Sequence, residues 1–444
     1  MSALFWADNS TVVAGAFLTC LSGAVILLDA RFGIWLIAAV TFAIPAYVVE
    51  SEFIVPIFGI NWYAMDWLLF FTLLSNMIRW SSGSNIVRRT RLTFPVLAFL
   101  VIVILGIFVG IRLGNEMRSV FADARLFLYY GSFFLCVSSF RSFRDFRILL
   151  WVILVSSVLG AVPQILWSLS SSMTDLVTGQ HYQFGRITGT QEVSYPVVVA
   201  ASLSILVFSR SIIQRAVVIP ILAVSFIALV LSYTRGSWLA LIASLAFLAV
   251  ILLGNDKARS RSVKTILIFT IFISGMLLLL DLYGVVSVGS IFLRLSLLAR
   301  DRLDISALSR LSEWQEALRA FARHPIFGAG LGYMFHFYAI GIGWNDQTYI
   351  HNSYIYVLAK MGVVGAIAFT FLLARTVWIF SQTIRRMDAG PEMGIVLAYG
   401  GMFLVFIFKS ATTWHLNALF ESTFVGVLFA SLANFADSPE IRRR

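Results

Sequence analysis

Residues 351–369 read HNSYIYVLAKMGVVGAIAF. A histidine closes a long polar segment, Asn352 and Ser353 follow, and an apolar run with glycines at 362 and 365 begins at once. The apolar run after the histidine has the length of a membrane span. The stretch therefore reads as the mouth of a membrane helix with an ionisable ring at its lip. A neutral imidazole there caps or borders the helix in the plainest case, and takes a proton near neutral pH in the catalytic one.

Composition extends the membrane reading to the whole chain. The 444 residues are 59% hydrophobic and only 12% charged, with a mean hydropathy of +0.89. Soluble domains carry about 25% charged residues, so this chain lacks the polar surface that a water-soluble fold of its size requires. Apolar runs predict thirteen spans, near 11–28, 32–48, 62–78, 92–111, 120–139, 146–168, 194–209, 216–233, 237–253, 263–280, 353–380, 394–411 and 416–434. A first segment that only dips into the bilayer would make them twelve. Cys20 and Cys136 fall inside spans and read as buried small apolar groups. The opening residues, MSALFWADNS, lack the basic stretch of a signal peptide.

The net charge of +11 comes almost wholly from arginine, because lysine occurs only at 257, 264, 360 and 409. These charges lie in short loops between spans, which argues against a nucleic-acid partner. Arg79, Arg88, Arg89 and Arg91 follow the third span, Arg141, Arg144 and Arg147 the fifth, and Arg210 and Arg215 the seventh. Lys257 to Lys264 follow the ninth span, Arg375, Arg385 and Arg386 the eleventh, and Arg442 to Arg444 end the chain. All fall after odd-numbered spans, so one side is basic and cytoplasmic. The opposite side holds all five histidines, a loop at 169–193 and a segment of some seventy residues at 281–352. The chain divides into spans over 1–280, the large outer loop over 281–352, and closing spans with a tail over 353–444. Within the loop, SRLSEWQEALRAFARHP places Leu311, Trp314, Leu318 and Phe321 at helical spacing. It predicts an amphipathic helix of about four turns, its charges on the other face, lying on the membrane or on the helix bundle. GAGLGYMF follows as a close-packing turn.

Three arginines on the outer side stand in tight contexts: Arg186 in FGRITGT, Arg235 in SYTRGSW and Arg310 at the head of the loop helix. Guanidinium fits phosphate oxygens bidentately, though ordinary loop cations or snorkelling side chains would look the same at this level. Lys360 lies well inside a span, where a charge is costly. Asp66 and Asp123, near Arg112, Arg118 and Arg125, read as an interfacial charge ring. Glu50 and Glu52 are the nearest approach to an acidic metal motif, and the sequence predicts no metal site or cofactor.

His351, Asn352, nine residues, Gly362, two residues and Gly365, together with FGRITGT, YTRGSWLAL and SRLSEWQEALRAFARHPIFGAGLG, resemble the O-antigen ligase and polymerase superfamily of bacterial envelope glycosyltransferases. The likeness is close over about 180–370 and extends to the earlier residues only as a series of spans. It implies an all-α, GT-C-like polytopic membrane protein of 12–13 helices in the bacterial inner membrane, with its site facing the periplasm. It further implies a metal-independent, inverting transfer of a glycan from undecaprenyl diphosphate. The acceptor would be a sugar hydroxyl of lipid A–core in a ligase, or of a second lipid-linked glycan in an O-antigen or exopolysaccharide polymerase. His351 would be catalytic, and Arg186, Arg235 and Arg310 would bind diphosphate or substrate. A transporter for an anion or a lipid-linked sugar is the reading from another class. Hydropathy gives it no pair of broken helices in matching halves.

Overall fold

The computed structural model describes residues 20–44, 55–57, 60–83, 88–171, 173–174, 181–182, 187, 190–256, 305–339 and 343–438, with isolated positions between 258 and 289. Arg186, Glu50, Glu52 and almost all of the tenth predicted span lie outside these residues.

The protein is an all-α polytopic membrane protein, as the composition predicts. Residues 20–28 are helical and turn at Asp29 into α1 (Ala30–Ala43). α2 (Ala64–Ser81), α3 (Thr93–Arg112) and α4 (Met117–Leu128) follow, with a short hairpin of β1 (Val55–Ile57) and β2 (Ile60–Trp62) before α2. A 3-10 turn at Tyr129–Gly131 joins α4 to α5 (Ser132–Ser139), so the fifth predicted span is two helices in series. Then come α6 (Phe143–Ser170), the two-residue strands β3 (Met173–Thr174) and β4 (His181–Tyr182), α7 (Ser194–Phe208), α8 (Ile212–Leu231) and α9 (Arg235–Leu253). The outer segment supplies α10 (Ile305–Arg323) and an antiparallel hairpin of β5 (Phe335–Ala339) and β6 (Gly343–Gln347). α11 (Ser353–Arg386), α12 (Pro391–Lys409) and α13 (Leu419–Asp437) close the chain. Eight helices among the described residues are long and apolar enough to cross a membrane, counting α4 and α5 as one, and α1 and α7 are shorter apolar helices. α2 is a complete helix, with Asp66, Thr72, Ser75, Asn76 and Arg79 diluting its apolar character.

α13 is the hub: it is buried along its whole length, packed on α5, α11 and α12. Polar groups gather at the two ends of the bundle. At the basic end, Arg31 lies 3.2 Å from Asp145, Arg79 lies 3.3 Å from Asp29, and Arg91 lies 3.4 Å from Asp437. These pairs link loops that charge patterning assigns to one side. Burial alone would raise the Asp29 carboxyl, but the hydrogen bonds and charges of Arg31 and Arg79 hold it below its ordinary range.

At the other end the outer segment re-enters the bundle. After α10, the run Pro325–Gly332 lies between α3 and α11. Ala329 N–H donates to Ala359 O (2.9 Å), Gly330 N–H to Lys360 O (3.0 Å), and Leu331 N–H to Gly106 O (3.2 Å). Asn115 Nδ2 donates to the carbonyls of Ala329 and Leu331, at 3.0 and 2.9 Å. The insertion requires a break in α11. Gly362 adopts φ 63° and ψ −163°, and beyond it Val363 N–H donates to Pro325 O (2.9 Å) and Val364 N–H to Ile326 O (3.3 Å). α11 is thus two helices with the glycine-rich run clasped at their junction.

Two sequence expectations are corrected, and one is sharpened. Asp123 belongs to no surface ring: it is buried, ion-paired with the fully buried Lys360, and accepts a 2.7 Å bond from Gly332 N–H. A charge at the depth of Lys360 needs a partner, and Asp123 supplies it. Second, α10 meets the bundle through its glutamate and alanine face. Glu313, Glu316, Ala317 and Ala320 are buried, while Leu311 and Leu318 are exposed. The inner face meets protein, where alanines permit close approach to α11 and β5, and the glutamates find donors in His351 and Tyr333. Third, Cys20 is exposed on its helix, whereas Cys136 is buried; both are free thiols. A helix face directed at lipid accepts an apolar side chain as readily as the interior does.

The ion pair leads to a stability prediction. Lys360→Met leaves Asp123 buried without its cation and lowers stability by about 3 kcal/mol. The double variant Lys360→Met with Asp123→Leu recovers at least half of that, read as thermal unfolding in detergent.

Candidate functional site

His351 sits where the outer segment enters α11. Asn352 fixes that entry: its side-chain oxygen accepts from Tyr354 N–H and Ile355 N–H, both at 3.0 Å. Its Nδ2 donates to Ala411 O (2.9 Å). Ser353 ties the same turn to the α12–α13 connection, with N–H donating to Ser410 O (2.9 Å) and Oγ bonding Asn417 Oδ1 (2.7 Å). The histidine is thereby held by backbone and by neighbours that do not involve its ring.

The ring has its own partner. Glu313 of α10 places Oε2 at 2.9 Å and Oε1 at 3.0 Å from His351 Nδ1, and Oε2 also accepts the His351 backbone N–H at 2.9 Å. A carboxylate only accepts, so Nδ1 carries the proton and Nε2 is the basic nitrogen of the neutral ring. Glu313 is buried; the histidine side chain is 30% exposed. Trp414 stacks obliquely on the ring with centroids 4.9 Å apart, and Tyr349 packs edge-on against Trp414 at 3.9 Å. Burial, and after it the Glu313 carboxylate, hold the Tyr349 phenol above its ordinary range, so it remains an O–H donor at neutral pH.

The α12–α13 connection has a second visitor. A Cβ on Gly236 would lie 2.7 Å from Thr412 Oγ1 and 3.3 Å from Lys409 Nζ, so the start of α9 packs closely on that connection. Arg235, the first residue of α9, is brought to the same connection that holds His351. The amino end of a 19-residue helix adds its own partial positive charge there. Buried Lys409 lies 3.9 Å from Glu192, and His415 lies 3.4 Å from Glu421. Arg310 is half-buried on α10, three residues before Glu313 and so on the same side of that helix. His351, Arg235 and Arg310 thus gather at one end of the bundle, and Arg186 lies outside the described residues. Among those residues no three His, Cys, Asp or Glu side chains group as metal ligands.

Glu313 is the residue that sequence reading passes over. It counts there as one of two glutamates on a charged helix face. The available signal is the small-residue pattern around it: Glu313, Glu316, Ala317 and Ala320 form a continuous stripe that a helix could press against protein.

No curated protein matches the chain. Residues 220–370 match the family described as O-antigen ligase (Wzy_C). That segment runs from within α8 to within α11 and contains Arg235, Arg310, Glu313 and His351, together with the Pro325–Gly332 run and the break at Gly362. Over that segment, about a third of its length, the chain is similar to the O-antigen ligase family.

Proposed function

We propose that the protein is an O-antigen ligase-type glycosyltransferase of the bacterial inner membrane. It moves a glycan from undecaprenyl diphosphate to a sugar hydroxyl of lipid A–core on the periplasmic face. The observation that carries the reading is the His351–Glu313 pair, set on the same connection as the amino end of α9 with Arg235. His351 Nε2 takes the proton of the acceptor hydroxyl as its oxygen attacks the anomeric carbon from the side opposite the diphosphate. The carbon–oxygen bond to phosphate breaks, the configuration inverts, and the bonding pair leaves on the diphosphate. Glu313 stabilises the imidazolium that forms. Arg235, Arg186 and Arg310 neutralise the departing charge, which is the term such transition states most need.

The test supplies purified protein with polyprenyl-diphosphate-linked glycan, with and without lipid A–core. Transfer that requires lipid A–core supports the ligase; chain lengthening without it makes the protein a polymerase of the same superfamily. Movement of lipid-linked sugar across liposomes without new glycosidic bonds would make it a transporter. In the same assay EDTA leaves the transfer rate within about twofold, since cationic side chains serve the diphosphate. Inhibition reversed by a divalent ion would instead direct attention to Glu50 and Glu52.

A further inference from the structure

The β5–β6 hairpin has two unlike faces. Phe335, Phe337 and Ala339 turn inward and are buried. Outward, the register pairs His336 with Asp346 and Tyr338 with Trp344, so all four side chains share one face. Trp344 is 69% exposed and Tyr338 51%. The His336 ring lies flat against Trp344, centroids 4.7 Å apart and planes within 4°, and its Nδ1 bonds Asp346. Tyr338 meets Trp344 edge-on at 5.8 Å. A large indole is thus held rigid from one side by a stacked ring that is itself held by a carboxylate. Its other surface is left open.

We propose that this face is a saccharide-binding platform that holds the glycan chain of a substrate some sugars away from the reacting bond. The proposal rests on the glycan-transfer reading. Rigid Trp and Tyr rings give large contact area at low entropic cost, and they suit the flat C–H face of a pyranose. Asp346 and the imidazole of His336 stand beside the rings, where sugar hydroxyls would project. The face is continuous with the reaction centre: β6 leads directly to Tyr349, which packs on Trp414, which packs on His351. His351 follows Trp344 by seven positions, so their backbones lie at most about 25 Å apart, the length of a short oligosaccharide. A bilayer is the poorer occupant, because the His336–Asp346 pair shares the face, its ring flat against Trp344, and would be drawn toward the membrane with it.

The experiment uses full-length protein in nanodiscs and oligosaccharides released by mild acid from the surface polysaccharide of the source cells. Binding is read directly by isothermal titration calorimetry, and the fluorescence difference between wild type and Trp344→Phe locates it. Saturable quenching assigned to Trp344 is expected. Trp344→Ala weakens binding about tenfold or more, and Trp344→Phe weakens it less because a ring remains. In turnover, the KM for glycan rises by a larger factor than kcat falls. Equal binding by wild type and Trp344→Ala overturns the platform, as does quenching of Trp344 by brominated lipid in place of saccharide. Because binding is measured without turnover, saccharide held at Trp344 while His351→Ala still transfers leaves the platform standing and removes the proposed chemistry. Transfer without saccharide binding at the hairpin removes the platform alone.

Discussion

His351→Ala lowers glycan transfer by about 10³-fold while the protein inserts, purifies and unfolds as the wild type does. The geometry separates the two readouts. Asn352 caps α11 and Ser353 anchors the turn, so the helix does not depend on the imidazole. Glu313 keeps its bond from the His351 backbone N–H in the variant, so no buried carboxylate is orphaned. Glu313→Gln tests the pair more sharply. Glutamine has one acceptor oxygen for two donors. When that oxygen takes the backbone N–H, the amide faces Nδ1 and drives the ring proton to Nε2, where the base should be. The expected loss is about 10²–10⁴ in kcat, with KM little changed. Combining Glu313→Gln with His351→Ala adds almost nothing to the histidine variant alone, as for residues that act as a unit. Glu313→Gln activity within about twofold of wild type would reduce the carboxylate to a structural contact.

Gly362→Ala removes about 4 kcal/mol or more of stability, enough to prevent recovery of folded protein. The backbone at Gly362 occupies a region that is essentially reserved for glycine. A methyl group there would also stand 2.3 Å from the Ile326 carbonyl oxygen and 2.4 Å from its carbon. Neither can retreat, because Ile326 O and Pro325 O are the acceptors for Val364 and Val363. Gly343→Ala is the matched control. Gly343 also has positive φ, at 95°, but nothing lies within 4 Å of an added Cβ. Its cost is about 1 kcal/mol, from backbone strain alone. Thermal unfolding in detergent reads both, and similar midpoints for the two variants would mean that the break in α11 is soft.

Periodicity and charge made the bundle legible. Runs of apolar residues gave the helices, and arginines after odd-numbered spans gave the shared end where Arg31, Arg79 and Asp145 now meet. His351 was visible because an imidazole at a helix mouth is chemically conspicuous. Glu313 was not, because a glutamate on a charged helix looks solvated until its side is known. The apolar residues of α10 left that point open: Leu311 and Leu318 suggest an inward face in water, but a membrane protein can leave such residues outward. The Asp123–Lys360 pair joins residues 237 apart in sequence, and no local pattern encodes such a partner. Gly362 was recognisable as part of a motif, yet its purpose, a helix broken to admit another segment, depends on the segment it admits.

The clasp also orders events during biogenesis. Residues 325–332 are synthesised before α11, yet their hydrogen-bond acceptors include Ala359 and Lys360 of that helix as well as Gly106 of α3. The run must therefore wait outside the bundle until α11 has been inserted, and only then fold back between two helices already in the bilayer. α10 carries Glu313 and is joined directly to this run, so the histidine meets its carboxylate only at that late step. A nascent chain halted before α11 would have most of its spans in place and no His351–Glu313 pair. The last helices to enter the membrane thus complete the candidate site.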